Sequence, residues 1–385
     1  MTMRFIVKTL YGLEEVLASE LTALGAENVQ VLNRAVAAEG SKSMLYKINY
    51  NSRVALSVLL PVSEFSIRNQ KDLYNSVVSF DWDQYLDTEK TYAVTAVVNS
   101  GLFTHSGYAG LVVKDAVADY FRHLTRKRPS VDQKSPDLLI NLHISNEKVT
   151  ISLDSTVLPL YRRGYRREQG EAPLSEVLAA GIIMLTGWKG DTPLVDGMCG
   201  SGTIPAEAGL IAGNIAPGKF RKSFGFMKWK DYDPALFRSV KFEAEKKERK
   251  SPVKIYAGDI SADAVRMATI NIREAGLTDT VEISERDFFK APAPVPEGTL
   301  IMNPPYGQRM GGEEMAKFYG DTGTILKHHY EGYTAWILSG DRVNIKSIAL
   351  KPFRKFDLLN GDIECRLMGY ELYRGTRKAA IAHPH

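Results

Sequence analysis

Several things are scarce in this 385-residue sequence, and each scarcity excludes something. There are two cysteines, Cys199 and Cys365, too few for a disulfide framework. No uninterrupted apolar run reaches the length of a membrane span. The opening "MTMRFIVKTLYGLEEVLASEL" reads as a strand followed by a helix, not as a secretory leader, so a cytoplasmic protein is expected. The seven histidines, including the pair His328–His329, show no metal-ligand spacing, and no metal is expected. A phosphate-cradling Gly-Lys-Ser/Thr loop is absent, which argues against ATP hydrolysis of that kind. Charge of one sign is also nearly absent. The formal net charge of +4 and pI near 8.7 permit a nucleic-acid partner without requiring one. No repeat is visible, and a monomer is the expectation.

What is present falls into two textures. Residues 3–9 read as a strand and 12–24 as an amphipathic helix with Leu13, Val16, Leu17, Leu21 and Leu24 on one face. Strands are expected at 29–38 and 43–49, and helices near 51–60 and 70–78. A strand at 91–100, a helix at 110–124 and a hairpin over 137–155, turning at Ser145–Lys148, complete an α+β front part. Beyond residue 160 strands and helices alternate. A helix at 175–186 precedes strands near 194–196, 253–261, 280–289, 298–307 and 333–341, with a helix at 261–276. This predicts a mostly parallel sheet with helices on both faces. "FRKFDLLNGDIECRLMGYEL" breaks the alternation and predicts a closing antiparallel hairpin turning at Asn360–Gly361.

The chemistry gathers at strand ends. In "VDGMCGSGT", Asp196 ends a strand and Gly197, Gly200 and Gly202 make a turn that leads into a helix from about Thr203. The spacing is not the dinucleotide fingerprint, but it marks a ligand at the first strand end. Asp259 closes the second strand, where it either receives two ribose hydroxyls or merely caps the next helix. Asp287, after the third, either receives an adenine amine beside Phe288 or is a plain surface acid. With no Arg or Lys expected at these tips, an adenosine without phosphate suits them. Cys199 reads as a packing residue rather than a nucleophile, since no base stands beside it.

"LIMNPPYGQRM" follows the fourth strand and so borders the same pocket. The prolines fix φ and push Asn303 away from helical backbone. The Asn303 side-chain oxygen and the Pro304 carbonyl can then both accept from one NH2 group, with Tyr306 stacked on the ring that carries it. Two acceptors steer the nitrogen lone pair out of the ring plane, toward an electrophilic methyl, and catalysis is mostly orientation. The plainer alternative is a rigid turn with a packed tyrosine.

In order, "DGMCGSGT", "GDIS", "RDFF" and "NPPYG" resemble the motifs of S-adenosyl-L-methionine-dependent amino-methyltransferases. "NPPYGQRM" and the lead-in "YRRGYRREQGEAPLSEVLAA" resemble the RNA guanine-N2 branch, and "THSGYAGLVVKDAVADYFR" is similar to the central segment of a THUMP module with its ferredoxin-like leader. Nearly the whole chain resembles the THUMP-domain 23S ribosomal RNA guanine-N2 methyltransferases, in particular the first half of a larger bifunctional enzyme. The resemblance implies a Rossmann-like class I fold: a seven-stranded, mostly parallel sheet with a terminal antiparallel hairpin. It implies a leader at 1–50, a THUMP domain at 51–160 and a methyltransferase domain at 161–385. It makes Asp196, Cys199, Gly200, Gly202, Thr203, Asp259, Ile260, Asp287 and Phe288 the cofactor residues, with S-adenosyl-L-methionine the cofactor. Asn303, Pro304, Pro305 and Tyr306 become the catalytic element, and Ala172–Leu174 closes over the cofactor. Gly197 departs from the family's frequent proline, a cost in rigidity only.

For the RNA, Arg162, Arg163, Arg166 and Arg167 alternate with Tyr161 and Tyr165, a mixture suited to phosphate contact and base stacking. "RHLTRKR" (122–128) is a second basic patch. The insert "GKFRKSFGFMKWKDYDP" (218–234) either borders the substrate opening or packs its aromatics in a core. Adenine-N6 methylation, glutamine methylation of a protein, and a non-catalytic RNA-binding assembly factor are the competing readings.

Overall fold

The computed structural model describes residues 2–103, 105–170, 174–305 and 312–373. Contacts divide the chain into two units. One takes the residues up to Thr9, then Leu17–Leu160 and Arg221–Phe242; the other takes Leu10–Val16, Tyr161–Phe220 and the chain from Glu243 on.

The first unit draws on β1 (Met3–Lys8), α1 (Glu14–Leu24), β2 (Glu27–Leu32), β3 (Ala35–Gly40), α2 (Lys42–Asn51), β4 (Ser57–Ser66), α3 (Gln70–Val78), β5 (Thr91–Asn99), α4 (Ser106–Thr125), β6 (Ser130–Val131), β7 (Leu138–Ser145) and β8 (Lys148–Asp154). Its sheet has the order β2-β3-β1-β4-β8-β7-β5-β6. The 137–155 hairpin forms as expected, with Ser145 opposite Lys148. Three expectations for the front part need correcting. The strand expected at 29–38 is itself a hairpin, turning at Asn33–Arg34 with Arg34 at φ +55. Residues 43–49 are helical, because Met44, Leu45, Tyr46, Ile48 and Tyr50 are all buried and only a helix surrounded by core uses so many. The helix expected near 51–60 gives way to β4, whose Pro61 sits at a bulge in its pairing with β8.

The insert also folds here. Phe224, Phe226 and Phe237 pack on Tyr46 and Tyr50, with Tyr46 stacked on Phe226 at 4.4 Å. Core packing, not a substrate border, is therefore the role of these aromatics.

The second unit continues with α5 (Glu176–Leu185), β9 (Leu194–Asp196) and α6 (Thr203–Ala212). After α7 (Pro234–Glu245) come β10 (Ile255–Asp259), α8 (Ala262–Glu274), β11 (Val281–Glu285), β12 (Gly298–Met302), α9 (Gly312–His329), β13 (Tyr333–Ser339), β14 (Arg354–Asn360) and β15 (Ile363–Glu371). The seven-stranded sheet runs β11-β10-β9-β12-β13-β15-β14, and β15 alone runs opposite to the other six strands. Central strands are apolar because helices cover both faces: Leu194, Val195, Leu300, Ile301 and Ile337 are buried. The closing turn falls one residue later than expected, on Gly361–Asp362, with Asn360 opposite Ile363 and Gly361 at φ +62. The order reverses between β9 and β12, so their carboxyl ends frame a crevice. No helix among the described residues is long and apolar enough to cross a membrane.

Gly12 shows how tightly this unit closes on its early residues. It sits at φ +85, and a Cβ there would lie 2.4 Å from the Asp357 carbonyl oxygen. Gly12→Ala is expected to cost about 2 kcal/mol or more, from a strained backbone and a backbone clash together. Chemical denaturation with an unchanged midpoint would contradict this packing.

Candidate active site

β9 is three residues long, so the chain must turn at Asp196. The turn is pinned to the neighbouring strand: the Cys199 amide donates to Gly258 O at 2.9 Å, and the Gly200 amide donates to Asp259 Oδ2 at 2.9 Å. Gly202, at φ +82, opens α6 at a place where a Cβ would meet the Ala268 backbone at 3.1 Å. Gly197 fits against Phe288, whose ring would stand 2.5 Å from an added Cβ. Thus side chains are shut out at both ends of the turn for packing reasons.

A cavity of about 520 Å³ lies at these strand ends. It brings together Asp196, Cys199, Gly200, Thr203, Asp259, Ile260, Asp287, Phe288, Asn303, Pro304 and Pro305. Gly202 supports it from beneath without lining it. Tyr306, Ala172 and Pro173 lie outside the described residues, as do Gly307 to Met310. Gly170, Leu174, Met267, Phe289, Phe318, Asn360 and Ile363 also line the cavity, and sequence reasoning gave a ligand role only to Leu174 among them. Phe289 and Phe318 meet edge-to-face at 5.3 Å, a pairing between distant parts of the chain with no local signal. The doubled aromatic in "RDFF" is the one trace that Phe289 left in the sequence.

The acids differ in their surroundings. Asp196 is 1% exposed, and its Oδ1 accepts from the Met198 amide at 3.2 Å. Burial, aided by the charge of Asp259, pushes its pKa up to about 8. Asp259 accepts from Gly200 through Oδ2 and from the Ser261 amide through Oδ1 at 3.0 Å. The helix cap is Ser261, whose hydroxyl accepts from Ala264, so the capping alternative for Asp259 is set aside. Asp287 accepts from the Phe289 amide at 2.9 Å, which with Lys290 holds its carboxyl below the usual range. Lys290 Nζ stands 3.1 Å from Asp287, which corrects the expectation that no cation attends these tips. Burial raises the Cys199 thiol well above its ordinary value, in keeping with a packing residue. Asn303 Oδ1 is buried and has no hydrogen-bond partner among the described residues.

The lead-in arginines need a larger correction. Arg163 is 1% exposed and its Nε lies 3.4 Å from Glu207 Oε1, to which the Tyr165 hydroxyl also donates at 2.9 Å. Arg166 turns inward to Leu174 O, Thr203 and Glu176. Arg163 and Tyr165 share the inward face of an alternating segment and are buried, while Arg166, of the opposite parity, is turned inward by its bonds to Leu174 O, Thr203 and Glu176. Arg162 and Arg167 stay exposed, the latter paired with Glu274 at 3.1 Å. Asn271 of α8, 1% exposed, secures the segment. Its Oδ1 accepts from the Arg167 and Glu168 amides, and its Nδ2 donates to Glu168 O and Ser201 O, all within 2.8–3.1 Å.

The family model described as the RMKL-like methyltransferase domain matches residues 163–368, the THUMP domain matches 68–154, and the RlmL ferredoxin-like domain matches 4–59. The chain belongs to the THUMP-domain methyltransferases of the RlmL/RlmK(L) family. Within this family, slr0064 of Synechocystis sp., provisionally named an RNA methyltransferase, is 39% identical over 94% of this chain and 95% of its own. The ribosomal RNA large subunit methyltransferase K/L of Psychromonas ingrahamii is 36% identical over 96% of this chain, which spans 50% of that protein. The crystal structure of SMU.472 complexed with S-adenosylhomocysteine (SAH) has a TM-score of 0.87 at 29% identity, covering 97% of this chain and 99% of that one. This RlmL-family chain is an S-adenosyl-L-methionine-dependent methyltransferase with a Rossmann-like class I fold behind a ferredoxin-like/THUMP region. Its cavity fits that cofactor on its own evidence. Gly200 at φ +52 leaves open space where a side chain would project, and a buried carboxyl, Asp196, waits on the wall. Among the described residues no group of three or more His, Cys, Asp or Glu could hold a metal.

An ammonium arriving beside Asp196 favours its ionised form. Because the free-state pKa is near 8, binding below that pH must release a proton. SAH affinity is therefore expected to rise by up to about tenfold per pH unit between pH 6 and 8, with proton release visible by calorimetry in buffers of different ionisation heat. In Asp196→Asn both effects should vanish; a wild-type affinity flat across this range would refute the pairing.

Proposed function

We propose that this enzyme methylates the exocyclic N2 amine of a guanine in RNA, with 23S ribosomal RNA as the substrate. The observation that carries the amine is the buried Asn303 Oδ1 just after β12, which has no hydrogen-bond partner among the described residues. A buried acceptor left unpaired costs about 1–3 kcal/mol, and a donor arriving with the substrate removes that cost. An NH2 group offers one hydrogen to Asn303 and the other to the Pro304 carbonyl. Its lone pair then faces the rest of the cavity, where the cofactor supplies an electrophilic methyl. The new bond is N–CH3, the bond broken is S–CH3, and the alkylated nitrogen sheds its proton. Pro304 is buried and Pro305 exposed, so a base entering from solvent meets the turn edge first.

RNA is supported by the THUMP match over 68–154, by the names of the relatives, and by an exposed basic end of α4. There Arg122, Arg126, Lys127 and Arg128 are all exposed, with Arg126 at φ +63 ending the helix. Exposed guanidinium and ammonium groups within seven residues suit a phosphate backbone, although Arg122 also pairs with Asp119. The guanine and its 23S context rest on the family resemblance and on the K/L relative. Adenine-N6 methylation is the second reading, because the Asn303 acceptor serves either amine.

Labelled methyl transfer to 23S RNA lacking its native modifications, followed by nucleoside analysis, tests this. Label is expected in N2-methylguanosine and should fall by about 10²-fold or more in Asn303→Ala. Label in N6-methyladenosine would replace guanine with adenine. Absence of any transfer to RNA or to partly assembled large subunits would overturn the RNA reading.

A further inference from the structure

We infer that Arg166 is a positioning residue for the carboxylate of the cofactor's amino-acid end, acting through Thr203, and not an RNA contact. Its side chain is 11% exposed, and Nη2 donates both to Thr203 Oγ1 at 2.5 Å and to Leu174 O at 2.7 Å. Its Nε edge lies 3.4 Å from Glu176 Oε1. Thr203 and Leu174 both line the cavity.

A guanidinium can only donate. Thr203 Oγ1 is therefore an acceptor toward Arg166, and its single O–H must be given elsewhere. A hydroxyl that accepts from a cation is also a stronger donor. Thr203 is the first residue of α6, and the first bond within this helix is made by the Ala206 amide to Gly202 O. The amides of Thr203 and Ile204 precede that bond, at the end of the helix that favours negative charge. Thr203 and Ile204 line the cavity at this helix start, with Arg166 behind Thr203, an arrangement that suits an anion. Asp196, on the same cavity, is a buried acid suited to a cation. An adenosine carries neither charge, whereas an α-amino-acid end carries both. Glu176 holds one edge of the guanidinium, which keeps Nη2 aimed at Thr203 and balances the buried charge. The inference rests on the cofactor assignment alone and is independent of which RNA base is methylated.

The test is calorimetric binding of SAH and of its decarboxylated analogue, which keeps the amine and lacks the carboxylate. Wild-type protein is expected to prefer SAH by about 10- to 100-fold. In Thr203→Val and in Arg166→Met the preference should shrink to about twofold or less, with affinity for the decarboxylated analogue unchanged. Arg166→Met strands Glu176 in the interior, so its folding is checked by melting, and Thr203→Val carries the test if it does not fold. Three results would each overturn the inference: no preference in the wild type, equal weakening of both ligands in Thr203→Val, or a loss in Arg166→Met confined to RNA affinity.

Discussion

The site depends on the pinning of a glycine-rich turn to the end of the strand beside it. Two backbone amides, Cys199 and Gly200, are spent on Gly258 O and the Asp259 carboxylate. Those bonds fix where β9 ends, how α6 starts and which way the cavity opens. They also give Asp259 a second duty. Each of its oxygens already accepts one amide, yet an ionised carboxylate has about four acceptor positions, so it can build the loop and still receive a ligand. Glycine is needed at the turn for opposite reasons at different points. At Gly202 the Ala268 backbone leaves no room for a side chain, while at Gly200, which lines the cavity, the room is open and a positive φ favours glycine.

Around this turn the second unit places polar groups where apolar ones would cost less. Arg163, Tyr165 and Glu207 form one buried group, Arg166, Glu176 and Thr203 another. Taking such charges out of water costs several kcal/mol for each ion unless pairing offsets it. What these bonds secure is a fixed path for the segment carrying Arg163 to Glu168 and for Leu174, just before α5, on the cavity wall. Asn271 shows the same logic without charge, since all four of its hydrogen-bonding capacities are used to tie that segment to Ser201.

Much of this architecture was legible in the sequence. The order of strands and helices beyond residue 160, α9 apart, and the turn chemistry at Asn146 and Gly361 depend on local backbone preferences; the turns read correctly or within one residue, while β11 and β12 stop at Glu285 and Met302, four and five residues short of the expected 289 and 307. The front part was harder. "SMLYKINY" and "VALSVLLPV" are short apolar runs whose periodicity does not separate strand from helix, and the tertiary surroundings settled each against the first expectation. α9 went unforeseen altogether. Its buried positions, Met315, Tyr319, Thr322 and Leu326, do keep the spacing of one helix face, but Thr322 among them is polar, which thins the apolar stripe.

The sequence by itself determined which chemical groups stand at the strand ends, because order along the chain and the β–turn–α pattern fix that much. Asp196, Asp259, Asp287 and Asn303 share one cavity for this reason. Only the tertiary structure decided which polar residues face the ligand, which face water and which lie in the interior. "YRRGYRR" reads as a basic patch in one dimension, since arginine on a surface and arginine beside a buried glutamate look the same in sequence. The difference is made by Glu207 and Glu176, brought to that segment by helices that lie beyond it in the chain. Burial is a property of what surrounds a residue, and for Arg163 and Arg166 that is supplied by distant parts of the chain.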